Sequence, residues 1–295
     1  MKILSFGEIL WDVLGEEKVL GGAPLNLAAH MALQGEEACL ASAVGEDALG
    51  EEALACVRAL HVGMAYVVKQ SQYATGQCIV TLGAHGVPSY RLLDGVAYDH
   101  VTLPSPLPDQ FDLFCFGTLA LREAHNRALV TRVLKENCFS EIYADLNIRP
   151  PFYSLESVSL CLENATVVKI SDEEMPLVTR LLYGEAWEAE EAALRLAKDY
   201  PQIKLLLVTQ GAKGAFCYEV QKNKYTHCPA APAEVVSTVG AGDSFGATFL
   251  TSYFKTGDVA LSLSCAARVS AFVVSRKGAV PDDTAEFVKN TLHLI

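Results

Sequence analysis

Short apolar, β-branched runs alternate with helix-length segments along most of this chain, and that rhythm admits few folds. The runs are "KILSFG" (2–7), "ACLASAVG" (38–45), "DLFCFG" (112–117), "EIYADLN" (141–147), "ATVVKIS" (165–171) and "KLLLVTQG" (204–211). They are apolar on both faces, whereas a half-solvated antiparallel strand would alternate apolar with polar. Between them the spacing turns helical. In "APLNLAAHMALQG" (23–35), Leu25, Ala28, Ala29 and Ala32 recur at i, i+3, i+4 and i+7, Pro24 suits a first helical turn, and Gly35 suits the C-terminal cap. Strands closed on both faces and separated by helices predict an α/β fold, a mostly parallel sheet with a helical layer on each side.

Residues 63–100 break the rhythm. They show extended runs punctuated by "ATG", "GAHG" and a proline, and no helical period. This pattern predicts antiparallel hairpins that form a small β-sheet lid, joined by residues 12–20. The expected division is therefore a body of residues 1–11, 21–62 and 101–295, with a lid of residues 12–20 and 63–100 inserted into it.

Composition limits the partners. A formal charge of −12 argues against sequence-independent nucleic-acid binding, which needs a basic surface, but leaves open a local anion site. The nine cysteines are dispersed without a CxxC pair, mostly in apolar runs, which suggests a reducing compartment. Glu8 and Asp12 interrupt the apolar N-terminus, so a buried first strand is expected there rather than a signal peptide. With no run of membrane-spanning length, a cytoplasmic protein is expected.

Three stretches carry chemistry. In "STVGAGDSFGATFL" (237–250), glycines expose backbone at a helix entrance, where unpaired N–H groups and the helix dipole make an anion site. An exposed capping Asp243 is the plainer alternative. No GxxxxGK[ST] occurs, so a Walker-type lysine is absent. The "GAGDSFG" spacing also resembles a dinucleotide fingerprint, but Asp243 would then press a negative charge on a pyrophosphate. A carboxylate beside an anion nest suits a neutral hydroxyl next to a phosphate, the arrangement of phosphoryl transfer to an alcohol. In "LGGAPLNLAAH" (20–30), Gly22 permits close backbone approach and Asn26 sits one turn into the helix. With Asp12 beyond the first strand, it makes a pair of the kind that binds sugar hydroxyls. In "YADLNIRPPFY" (143–153), Asp145, Asn147 and Arg149 alternate. On an extended segment they form either a salt-bridged rim or the wall of a polar site. Lys169 and Glu174 in "KISDEE" are further candidates, or else a solvated helix start.

Taken in order, these stretches resemble the ribokinase-like, or PfkB, carbohydrate kinases over nearly the whole chain. The carriers are "LGGAPLNLAAHMALQGEEACLASAVGEDALGEEAL", "FGTLALR", "DLNIRPPFY", "LLVTQGAKGAFCYE", "VVSTVGAGDSFGATFL" and "VSRKGAVP". Within the family, "GEILWD", "LGGAPLN", "VAYDH" and "DLNIRPPFY" are most similar to bacterial fructokinases. The resemblance implies a three-layer α/β/α body with a β-sheet lid, and transfer of the ATP γ-phosphoryl group to a sugar hydroxyl. It implies Asp243 as base, with Gly240, Ala241 and Gly242 as anion hole. Asp12, Gly22 and Asn26 fall on sugar-contacting positions, with Thr75, Gly76, Asn147 and Arg149 expected beside them. Thr209, Gly211 and Gly214 fall on the nucleotide loop, with Lys169 near the phosphates and Glu174 facing Mg²⁺ through water. A homodimer joined through the lid is expected from its exposed strands.

The chain departs from the family at three places. Ser237 stands where relatives carry an aspartate that helps bind a monovalent cation, which leaves K⁺ dependence open. Ser171 replaces an asparagine near the Mg²⁺ position, and Leu121 replaces a glutamine frequent in fructokinases. The open alternatives are a 2-keto-3-deoxygluconate kinase, with Tyr90 and Arg91 reading the carboxylate, a ribokinase, a nucleoside kinase, a non-catalytic sensor on the same fold, and more remotely a dinucleotide-dependent oxidoreductase. The helix dipole is expected to lower the pKa of Asp243.

Overall fold

A computed structural model describes residues 1–82 and 88–292. The chain opens with β1 (Lys2–Phe6), the hairpin β2 (Leu10–Leu14) and β3 (Glu17–Gly21), then α1 (Ala23–Leu33), β4 (Glu37–Gly45) and α2 (Ala48–Ala59). Next come β5 (Gly63–Gln70), β6 (Gly76–Leu82) and β7 (Pro88–Leu92), followed by β8 (Leu113–Gly117). Three strand–helix units then alternate: α3 (Ala124–Glu136) with β9 (Glu141–Asp145), α4 (Leu155–Asn164) with β10 (Val167–Ser171), and the pair α5 (Met175–Tyr183) and α6 (Ala189–Asp199) with β11 (Leu205–Thr209). The antiparallel strands β12 (Ala215–Glu219) and β13 (Lys224–Cys228) precede three terminal helices, α7 (Ala241–Thr256), α8 (Val259–Val274) and α9 (Thr284–Leu292).

The larger sheet runs β13-β12-β11-β10-β9-β8-β1-β4-β5 and is parallel from β11 through β5. Two-residue alternation sends its side chains into two separate cores. Ile3, Leu113, Val167, Leu205 and Leu207 pack against α1, α2, α7 and α8, while Leu4, Phe114, Val168, Leu206 and Val208 pack against α3, α4, α5 and α6. The expected three layers are thus present. Along the chain, strands are added to one side of β1 through β4 and β5, then to the other side through β8 to β11. The order reverses between β1 and β8, where open α/β sheets bind ligands beyond the strand ends.

The smaller sheet is β3-β2-β6-β7. The lid expectation needs correcting at both ends of residues 63–100: Gly63–Gln70 pairs with β4, parallel, at the edge of the larger sheet. An edge strand packs each face only partly, Tyr66 toward one core and Met64 and Val67 toward the other. Its sequence therefore carries no more periodicity than a hairpin strand would. The buried turn Ala97–His100 likewise packs on the body, with Ala97 in the core beneath it. The turn expected at 83–86 lies outside the described residues. Among those described, no helix is long and apolar enough to cross a membrane.

Candidate active site

The site forms where α1 and α7 begin, over the carboxyl ends of β1, β8, β9 and β10. Gly240 takes a left-handed conformation (φ +78°) as the N-cap of α7, with Ala279 packed behind it. A Cβ there would lie 2.6 Å from the Ala279 Cα, so glycine is required on both counts. The N–H of Ala241 leans on the Thr238 carbonyl at 3.3 Å, which occupies one donor of the expected anion hole. The N–H groups of Gly240, Gly242 and Asp243 have no protein acceptor among the described residues. Below this turn stands Lys169: a Cβ on Gly242 would lie 3.1 Å from its Nζ. An ammonium beneath a helix N-terminus adds full charge to the partial charge of the amides.

Lys169 is buried and donates to both oxygens of Asp145, at 2.9 and 2.8 Å. The two are register partners on β10 and β9, so strand pairing itself sets the ion pair. Burial pulls Lys169 toward neutrality, but Asp145, Glu174 and Asp243 hold its pKa above the ordinary value. Asp243, in the first turn of α7, accepts a hydrogen bond from Asn26 Nδ2 at 2.8 Å. Loss of solvation, and next the charge of Asp145, push its carboxyl up to about 6, against the pull of Asn26, Lys169 and Arg149. The helix dipole was expected to lower this value. Desolvation wins, which leaves Asp243 a stronger base than a surface aspartate yet still largely ionised at neutral pH.

A cleft of about 670 Å³ opens on one side of the α7 entrance, lined by Thr209, Gly211, Gly214, Thr238 and Gly242 among others. Gly214 (φ +105°) is pressed against the Cys228 carbonyl, where a Cβ would sit at 2.1 Å. A second cavity, of about 20 Å³, lies at the strand-order reversal, lined by residues including Glu8, Tyr143, Asp145 and Asn147. The larger cleft thus reaches the unpaired amides at the entrance to α7, where the Asp243 carboxylate is held by Asn26.

Residues 4–285 match the model of the pfkB family carbohydrate kinases. The chain belongs to that family. It is accordingly an ATP-dependent phosphotransferase acting on a sugar hydroxyl. This kinase is 28% identical to a probable fructokinase-5 of Arabidopsis thaliana, over 95% of this chain and 93% of that protein. It is also 28% identical to a fructokinase of Escherichia coli, over 95% of each. Among solved structures, a sugar kinase of Pyrococcus horikoshii in complex with ATP superposes with a TM-score of 0.76 at 26% identity, covering 97% of this chain and 99% of that one. The fructokinase of Vibrio cholerae bound to fructose, ADP and calcium shares the fold (TM-score 0.79, 22% identity, 94% of each chain).

The kinase does not gather every residue singled out in its sequence. Asp243, Asn26, Gly240, Gly242 and Lys169 converge, as do Thr209, Gly211 and Gly214 along the cleft. Asp12 lies on β2 of the lid in register with Cys78, and burial raises its pKa. Arg149 is exposed, and its charge reaches Glu8, Asp12 and Asp243. Asn147 breaks the extended run with φ +41°, so the predicted common face of Asp145, Asn147 and Arg149 is not that of a strand. Both oxygens of Glu174 already accept backbone bonds, from Ile148 at 2.7 Å and Ser171 at 2.8 Å. Thr75 and Gly76 are not brought to the cluster. The Thr75 hydroxyl bridges Asp47 (2.7 Å) and the Gly45 amide (2.9 Å), and Gly76 is pressed against the Tyr98 ring. Two residues escaped the sequence reading as site members: Asp145, noted only within its polar triad, and Glu8, noted only as interrupting an apolar run. Their signal was a carboxylate at the carboxyl end of a buried strand.

Proposed function

We propose that this kinase phosphorylates D-fructose. The carrying observation is the Asn26–Asp243 bond, which holds an ionised carboxylate beside unpaired amides at the edge of a nucleotide-sized cleft. The acceptor oxygen forms its bond to the γ-phosphorus as the bond to the ADP oxygen breaks, and the hydroxyl proton passes to Asp243. The amides of Gly240, Gly242 and Asp243, with Lys169, stabilise charge on the transferring group. The fructokinase names among the relatives support fructose as the acceptor. Of the two lid residues that could read a keto acid's carboxylate, Arg91 is registered with Ile79 and Val13, on the face opposite Asp12, whereas Tyr90 is on the Asp12 face, so the substrate panel decides between fructose and the keto acid. In a coupled ADP-release assay, fructose should exceed ribose, 2-keto-3-deoxygluconate and adenosine in kcat/KM by at least about tenfold, with and without K⁺. A higher kcat/KM for any of the other three would refute the assignment.

Among the described residues no three His, Cys, Asp or Glu side chains converge on a metal position. With both Glu174 oxygens engaged by amides, this donor set fits a cation held by phosphate oxygens and water, as Mg²⁺ prefers. Glu174 would face it through water, and the ion would supply charge neutralisation on the phosphates. We also propose a homodimer joined through the lid. Leu14, Val19 and Tyr90 share one face of the small sheet at 41%, 52% and 65% exposure, an apolar group on the lid. Light scattering should give twice 31.8 kDa, and Tyr90→Glu with Val19→Glu should reduce it to one. A monomeric wild type excludes the proposal.

A further inference from the structure

The segment that ends β1 grips the turn opening α1 at three consecutive residues. At Gly22 (φ +123°) a Cβ would lie 2.2 Å from the Glu8 carbonyl oxygen, so the two backbones touch as only glycine allows. The N–H of Ala23 donates to Glu8 Oε1 at 3.1 Å. The hydroxyl of Ser5 donates to the Pro24 carbonyl at 2.8 Å. One turn further along the same helix, Asn26 donates to Asp243. Ala23 is the first residue of α1, and its amide has no intrahelical acceptor, so Glu8 supplies the missing one.

We propose that Glu8 is a positioning residue for the sugar side of the reaction: by holding the Gly22–Ala23 turn it sets Asn26, and through Asn26 the Asp243 carboxylate, at the acceptor hydroxyl. This rests on the reading of Asn26 and Asp243 as the sugar-side groups. An apolar residue would have filled this space more simply. Glu8 is only 4% exposed, and burial pushes its carboxyl up to about 7, with the charge of Asp243 adding to the rise and that of Arg149 opposing it. A carboxyl in such a place is retained for the bond it accepts. Asp145, Lys169 and Tyr143 face Asp243 from β9 and β10, and none of them reaches the Ala23 amide.

The test separates shape, bond and charge. Glu8→Gln keeps an oxygen at the same reach without a charge, whereas Glu8→Ala and Glu8→Met remove the acceptor, the second while filling the space. Steady-state kinetics with D-fructose and ATP varied in turn should leave E8Q within about threefold of wild type in every constant. E8A and E8M should raise the fructose KM by about tenfold, the effect of one lost buried hydrogen bond, while the ATP KM moves less than about twofold. An unchanged fructose KM, an equal rise for both substrates, or an E8Q loss as large as that of E8A would each overturn the proposal. Where E8A is lost to misfolding, E8M carries the result. Amide hydrogen exchange on the ligand-free protein gives an arm that needs no sugar. Exchange at residues 23–27 should quicken at least about tenfold in E8M and not in E8Q, with α8 unchanged. Wild-type turnover of fructose tests the substrate reading separately. Should the wild type prefer another sugar of the panel, the variant-to-wild-type ratios are read with that sugar.

Discussion

Replacing Asp243 with Asn should cut turnover by roughly 10²–10⁴-fold, the range for loss of a general base, while leaving the ATP KM within about threefold. Asparagine keeps the size of the side chain and can still accept from Asn26, so the loss reports the base itself. The pH profile supplies an independent check. In the wild type kcat/KM should fall as pH drops through about 6, because protonated Asp243 cannot take the hydroxyl proton. That limb should vanish in the variant, and near-normal turnover there would remove Asp243 from the mechanism. Stability should move the other way. A carboxyl whose folded pKa lies above its unfolded value binds protons more readily when folded, so its ionisation costs stability as pH rises from 3.8 through about 6, and the cost persists above that. D243N removes the charge and should melt a few °C higher at pH 8 but not at pH 4. Calorimetry at the two pH values decides it.

That opposition of activity and stability was invisible in the sequence, and the reason is instructive. "GAGD" before a run of small residues marks a helix entrance with unpaired amides, because those are local properties of backbone and glycine. The sign of the Asp243 shift depends on how much water reaches it, and on Asp145 and Asn26, which are far away along the chain. The body was legible for the opposite reason. Each parallel strand is apolar on both faces, so "KLLLVTQG" and "ATVVKIS" announce themselves without reference to anything else. β5 was not legible, since an edge strand and a lid strand share one pattern. Thr75 shows the same limit from another side. Its position beside the lid was readable, whereas its engagement by Asp47, 28 residues earlier, was not.

The largest structural effect should come from Lys169→Met. Lys169 and Asp145 are both nearly buried, at 6% and 9% exposure, and each is the other's ion-pair partner. Removing the cation strands a carboxylate in low dielectric, and breaking one side of such a pair costs about 3–5 kcal/mol. Methionine fills the lysine stem's space, so little of that cost is a packing loss. The pH dependence tells charge from cavity. An unpaired buried carboxylate sheds part of its cost by taking a proton, so the deficit of K169M relative to wild type should shrink between pH 8 and pH 5. A deficit equal at both values would mean that packing is what was lost. The double variant K169M/D145N removes both charges and should regain most of the stability without regaining turnover. Turnover should stay down by about 10²-fold, because the positive charge beneath Gly242 is gone while the amides above it remain. Lys169 would also no longer restrain the Asp243 pKa in the single variant, so any residual activity should lose its acid limb at a higher pH than in wild type. On the proposed mechanism the pair between β9 and β10 sets the charge beneath the transferring phosphate and the basicity of the group that takes the proton, and denaturant unfolding alongside pH–rate profiles of the three proteins tests both.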